Sequence, residues 1–209
     1  MIFLFIDTST SNLTVSIIKE KDIIFNYQEN ILSDMSSKLL PIIDDGLKEN
    51  NLNLKDIDKI FVVNGPGSFT GVRVGVTVAK TIAWALKKDV IPISSLELMA
   101  TTHTSKKYVI PMIDARRNNV FAGIYDTELN CVKGDKLISI DELINLNEDY
   151  EFISYDNLKL ETVIKPNIDV LKIINNHIND VGINPHNLNP NYLKLTEAEE
   201  NKDKKLNND

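Results

Sequence analysis

The sequence predicts an α/β protein whose first half has the element order of a ribonuclease-H-like half-domain. Three observations carry this reading. A continuous apolar run, Ile2-Phe-Leu-Phe-Ile6, has the pattern of a strand buried on both faces. Two further strand patterns follow it across short polar turns, which favours an antiparallel meander. Beyond them, short apolar runs at residues 60–63 and 90–93 alternate with segments of helical periodicity.

In chain order, residues 2–6, 13–18 and 23–28 read as strands. Ser33 or Asp34 can cap a helix to about residue 50, with Leu39, Leu40, Ile43 and Leu47 at helical spacing and Pro41 bending it. Residues 60–63 are a buried strand. A glycine-rich turn, Asn64 to Arg73, enters a helix that ends near Lys88. Residues 90–93 form a short strand, and Ser94 or Ser95 caps a helix carrying Leu96, Leu98 and Met99. The second half is less regular. Residues 108–113 and 120–125 are strands around Asp114-Ala-Arg-Arg-Asn-Asn119, residues 137–140 and 151–154 are weaker ones, and 169–179 is a helix. The expected division is therefore 1–100, a reduced second half at 101–195, and a polar tail at 196–209.

Composition narrows the function. The chain has 209 residues, 43% hydrophobic and 25% charged, which excludes a disordered or collagen-like protein. No apolar run approaches the roughly 18–20 residues of a membrane span. No basic segment precedes Asp7, so no signal peptide is expected and the expected location is the cytoplasm. The single cysteine, Cys131, excludes a disulfide framework and a thiolate metal cluster and reads as structural. A net charge of -7 makes the chain a poor binder of nucleic acid by itself. Only 3 of its 23 basic residues are arginine, namely Arg73, Arg116 and Arg117, so each marks a place for a planar, bidentate donor.

Three constellations bear on chemistry. Asp7-Thr-Ser-Thr10, at the end of the first strand, fits either a phosphate loop with a metal-orienting carboxylate or a hairpin turn that satisfies its own backbone. Gly65-Pro-Gly-Ser-Phe-Thr-Gly71 lacks the spacing of a P-loop or a dinucleotide fingerprint, leaving a tight turn into a helix. In that helix Gly71, Gly75, Ala79 and Ala83 form a ridge of small residues. Val72, Val74, Val76, Val78, Ile82, Ala85 and Leu86 widen the apolar arc to roughly 220°, twice what one core requires. Such an arc fits a helix shared with a partner or one central to its own domain. Trp84, in a stripe with Arg73, Thr77, Lys80, Lys87 and Lys88, favours the partner. His103, His177 and His186 show no metal-ligand spacing, and no nucleophile elbow is present.

Phe5-Ile-Asp-Thr-Ser-Thr10, Leu39-Leu-Pro41, Gly65 to Arg73, Ser94-Ser-Leu-Glu97 and Ile113-Asp-Ala-Arg116 occur in this order, followed by Asn191-Tyr-Leu193 and Glu197-Ala-Glu199. By these motifs the chain resembles the bacterial TsaB family, also called YeaZ, over nearly its whole length. The resemblance implies an ASKHA fold, two ribonuclease-H-like halves with mixed sheets flanked by helices. It also implies a role in making threonylcarbamoyladenosine beside the tRNA anticodon. The implied partners are a TsaD-like transferase, paired as a heterodimer, and a TsaE-like ATPase, with tRNA bound through the complex. ATP and a metal ion belong to those partners, and this chain has no cofactor or metal of its own. The isolated chain is a candidate homodimer. One departure stands out: Met35-Ser36 replaces the family's usual His-Ser pair.

The resulting expectation is a non-catalytic subunit. Asp7, Thr8, Ser9 and Thr10 form a degenerate phosphate loop, and Gly65, Gly67, Gly71 and Arg73 shape the turn and helix start. Val72, Gly75, Val76, Val78, Ala79, Ile82, Ala83 and Trp84 form the interface. Asp114 and Arg116 pair with each other or line a cleft. The rivals are an active phosphotransferase of the same fold, with Asp7 orienting a metal, and a metallopeptidase.

Overall fold

The computed structural model describes residues 1–31, 34–144 and 149–193. Ser33 and the tail at 196–209, with its Glu197-Ala-Glu199 motif, lie outside them. The chain opens with β1 (Ile2–Asp7), β2 (Asn12–Lys19) and β3 (Asp22–Asn30), then α1 (Met35–Glu49), β4 (Lys59–Gly65), α2 (Phe69–Leu86), β5 (Val90–Ser94) and α3 (Ser95–Met99). The second half contains β6 (Tyr108–Arg116), β7 (Asn119–Asp126), β8 (Cys131–Ser139), α4 (Ile140–Ile144), β9 (Tyr150–Ile153) and α5 (Val170–His177).

The first sheet has the order β3-β2-β1-β4-β5, antiparallel among the first three strands and parallel from β1 through β4 to β5. This is the ribonuclease-H-like order. The second sheet, β8-β7-β6-β9, repeats it with one strand fewer. Two such mixed sheets flanked by helices make the ASKHA fold.

β1 explains why the opening run has no polar residue. Leu4 and Ile6 face α1 and α2 in one core, with Val62, Leu39, Ile43, Val76 and Ala79. Phe3 and Phe5 face the opposite way, into a core shared with α3, α5 and the second sheet through Leu96, Val109, Tyr125 and Ile173. A third core lies on the far side of the second sheet, where Met112, Val120 and Ile124 meet Ile140 and Leu143 of α4.

Several details depart from expectation. Asp34 precedes α1 in a left-handed conformation and caps it through its carbonyl, which accepts the Ser37 N–H at 3.1 Å, and not through its side chain. α1 continues through Pro41, whose missing N–H leaves the Ser37 carbonyl on the exposed side, within reach of water. β8 begins at Cys131, well before residue 137, and Cys131 is exposed. It is an edge strand open to solvent along most of its length, so it needs no apolar alternation. Residues 183–192, placed by sequence with the second half, run back along the first. Ile183 bridges Val90, Lys80 donates to the carbonyls of His186 and Leu188, and the Asn191 N–H donates to the Asn64 carbonyl at 2.7 Å. No described helix is long and apolar enough to cross a membrane.

Candidate functional site

The two halves meet at a cleft of about 730 Å³. Its first wall is the β1–β2 turn, Ser9 to Ser11, with the start of α2. Its second wall is the end of β6, at Ile113, Asp114 and Arg116, with Tyr155 and Asp156. Met35 and Ser36 stand at the rim. Met35, where the resemblance implies a histidine, therefore belongs to the cleft edge.

Asp7 is not on the cleft surface. It is 3% exposed, and its Oδ1 accepts the Ser9 N–H at 2.8 Å. Burial pushes its carboxyl up to about 6, against the lowering effect of the Ser9 bond. Thr8 Oγ1 donates to the Gly71 carbonyl at 2.7 Å, the Ser9 carbonyl accepts the Ser68 N–H at 2.7 Å, and Thr10 Oγ1 accepts the Asn12 N–H at 3.2 Å. Ser9 Oγ is buried and has no partner among the described residues. Apart from the unpartnered Ser9 hydroxyl, the loop satisfies its own polar groups and is docked against the start of α2, with Asp7 and Thr8 turned inward and Ser9 to Ser11 bordering the cleft.

The glycine-rich turn permits that docking. A Cβ on Gly71 would overlap the Thr8 carbonyl oxygen, and one on Gly67 the Ser9 carbonyl oxygen. A Cβ on Gly75, one helical turn on, would overlap Thr8 Oγ1. Gly65 has φ 118 and lies under the Asn191 carbonyl. Ser68 caps α2, its Oγ accepting the Gly71 N–H at 3.2 Å.

This close approach corrects the interface reading of α2. Val72, Gly75, Val76, Ala79, Ile82 and Ala83 are buried inside the chain's own core. The small-residue ridge brings the helix down onto β1 and its loop, and is not available to a partner. Val78 is half-buried against the same core. What α2 leaves exposed is the opposite flank: Phe69, Thr70, Arg73, Thr77, Thr81, Trp84 and Ala85. Trp84 is 63% exposed.

Asp114 and Arg116 do reach the cleft, but their contact is not an ion pair. Asp114 Oδ1 accepts the backbone N–H of Arg116 at 2.8 Å, and the Asp114 N–H donates to Asp156 at 2.8 Å. The cause is the tight β6–β7 turn, in which Arg116, Arg117 and Asn118 all have positive φ and Asp114 receives the turned amide. Among the described residues, no group of three or more His, Cys, Asp or Glu is placed to hold a metal ion.

Sequence reasoning missed the polar links between distant elements. Asp135 of β8 accepts from Tyr125 and from Ser94, the α3 cap, both at 2.5 Å. His177 of α5 lies between Glu97 and Asp180, each at 2.7 Å. No local signal marks residues that meet 80 positions apart. The Glu97 bond, supported by Asp180 and opposed by burial, raises the His177 pKa from 6.5 to about 9. A raised histidine pKa stabilises the fold fully below 6.5, provided Glu97 is ionised, and that contribution disappears as pH rises through 9. Urea titrations should therefore show a loss of about 2 kcal/mol between pH 6 and 9.5. Glu97→Gln should flatten that interval, and an unchanged slope in the variant would contradict the assignment.

Comparison with known proteins adds to this geometry. A family model described as TsaD, tRNA N6-adenosine threonylcarbamoyltransferase, matches residues 9–184. The chain is similar to the tRNA threonylcarbamoyladenosine biosynthesis protein TsaB of Bacillus subtilis strain 168. They are 29% identical over 223 aligned positions, spanning 95% of this chain and 96% of that protein. Against the tRNA N6-adenosine threonylcarbamoyltransferase of Persephonella marina it is 31% identical over 108 residues, 52% of this chain and 30% of the relative. Among solved structures, YeaZ from Pseudomonas aeruginosa matches with a TM-score of 0.79 at 23% identity, over 92% of this chain and 99% of that one, a likeness of fold.

Proposed function

We propose, because this chain belongs to the TsaD family of tRNA N6-adenosine threonylcarbamoyltransferases and to its TsaB branch, that it acts in threonylcarbamoyladenosine synthesis as a non-catalytic subunit paired with a TsaD-like transferase. The observation that carries the non-catalytic reading is the inward-turned loop. Asp7 bonds its own turn and is sealed from the cleft, while the Thr8 hydroxyl and the Ser9 carbonyl are held against the start of α2. A phosphotransferase would need those groups facing a substrate. ATP and a metal ion then belong to the partner subunits, and a TsaE-like ATPase completes the assembly in the cytoplasm.

The exposed flank of α2 is the docking face for the transferase. It combines aromatic side chains at both ends, Phe69 and Trp84, with the small Thr77 and Thr81 between, so another helix can approach closely. The same face offers the isolated chain a route to self-association. With a net charge of -7 the chain contributes little to tRNA affinity, and tRNA is held by the other members of the complex.

Complementation tests this reading. Depleting the chain from cells should strip threonylcarbamoyladenosine from total tRNA, measured by mass spectrometry of nucleosides. Asp7→Asn keeps an acceptor for the Ser9 N–H, so it should restore the modification to within about twofold. Restoration below a tenth by a folded Asp7→Asn chain would make Asp7 catalytic and overturn the reading.

A further inference from the structure

We propose that Arg73 is a preformed receptor for one carboxylate side chain of the transferase partner, an inference that rests on the docking face described above. Arg73 is exposed, yet it is held by two aromatic residues. Its guanidinium carbon lies 3.8 Å from the centre of the Phe69 ring and 5.8 Å from that of Tyr192. Its Nε donates to the Tyr192 hydroxyl at 2.7 Å. The two rings stack 5.4 Å apart at 26°, and Tyr192 is fixed by the preceding residue, whose N–H donates to Asn64.

These contacts occupy the Nε and one face of the guanidinium. The paired Nη groups, the edge that accepts a carboxylate bidentately, form no ion pair among the described residues. A rotamer-rich side chain is thereby ordered before any partner arrives, which lowers the entropy lost on binding. Phe69 and Tyr192 are 46% and 42% exposed, an aromatic rim of the kind that excludes water from an interface ion pair.

Charge identifies the occupant. The chain carries 30 Asp and Glu in 209 residues, but none between Lys59 and Lys88, a window that contains all of α2. This face therefore suits an acidic partner within a chain that otherwise repels one. A phosphate backbone fits less well, because tracking it takes several free cations. Between Phe69 and Trp84 the one other basic residue, Lys80, is already bonded to the carbonyls of His186 and Leu188.

The experiment is calorimetric binding of the full chain to the TsaD-like protein of the same organism, at 50 and 500 mM salt, with thermal melts of every variant. Arg73→Lys keeps the charge but loses the planar fork, and should weaken binding at least tenfold. Arg73→Gln should do the same and flatten the salt dependence. Tyr192→Phe, which frees Nε but keeps the ring, should cost a few-fold. Melting temperatures should not move, since all these side chains are exposed. A chain ending at Leu193 should bind as the full chain does and be equally sensitive to Arg73→Gln.

If both Arg73 variants bind like wild type while Trp84→Glu does not, the docking face stands and the carboxylate receptor falls. If Trp84→Glu also binds normally, both fall. If the shortened chain is insensitive to Arg73→Gln, the carboxylate is the chain's own, from Glu197, Glu199 or Glu200, and the proposal is wrong. Arg73-dependent binding of the isolated chain to tRNA would reassign the cluster to phosphate.

Discussion

Gly71→Val should leave too little folded protein to purify, with a loss of about 3 kcal/mol or more. Two opposing effects decide the sign. A glycine in a helix costs up to about 1 kcal/mol relative to alanine, so adding a side chain favours α2 by itself. The new Cβ, however, would overlap the Thr8 carbonyl oxygen, which is backbone in a turn pinned by Asp7 and by the Ser68 N–H. The overlap wins, because relieving it means moving the helix off β1. Gly75→Leu and Ala79→Trp should behave similarly, for both positions face the buried side of α2. Chemical denaturation of Gly71→Ala, the mildest of the series, gives a measurable case. An unchanged midpoint would show that α2 does not rest on the loop as described.

Trp84→Glu should produce the opposite pattern, normal stability with failed assembly. The side chain is largely in solvent, so its replacement should shift unfolding by no more than about 0.5 kcal/mol. Truncating an interface tryptophan typically costs about 2–3 kcal/mol, which corresponds to roughly 30–150-fold in Kd. A carboxylate facing an acidic partner adds repulsion. Light scattering of the mixed subunits, beside thermal melts, separates the cases. A folded variant that still forms a stoichiometric heterodimer would remove α2 from the interface.

Much of this fold was legible in the sequence, and particular residues explain where legibility stopped. The five apolar residues of β1 read correctly as buried on both sides, since no polar position survives that geometry. Gly65 to Arg73 read correctly as a turn into a helix. The apolar arc of α2 misled because an arc measures chemistry and not distance. Gly71, Gly75 and Ala79 are small so that the chain's own β1 loop can come close, while Val74, Val78 and Leu86 fill the gaps around them. Asp7 and its hydroxyl neighbours left two readings open, and only the direction of their hydrogen bonds separates them. Tyr155 and Asp156 carried no pattern at all, and Tyr192 entered only through the Asn191-Tyr-Leu193 motif, with no role attached. They reach the cleft rim or the α2 flank through connections between elements, and such meetings leave no period in the sequence. The His177–Glu97 link is of the same kind.

On the proposed function, this chain works by pairing with the transferase and contributes no chemistry of its own. The most direct measurement is threonylcarbamoyladenosine formed on tRNA in a reconstituted reaction, with the chain present, absent or replaced by Trp84→Glu, and with heterodimer mass followed in the same samples. Modification is expected only when the heterodimer forms, with near-background product for Trp84→Glu and no ATP turnover by the chain alone. Full modification without the chain, or phosphate release by the isolated chain that Asp7→Asn abolishes, would contradict the proposed function.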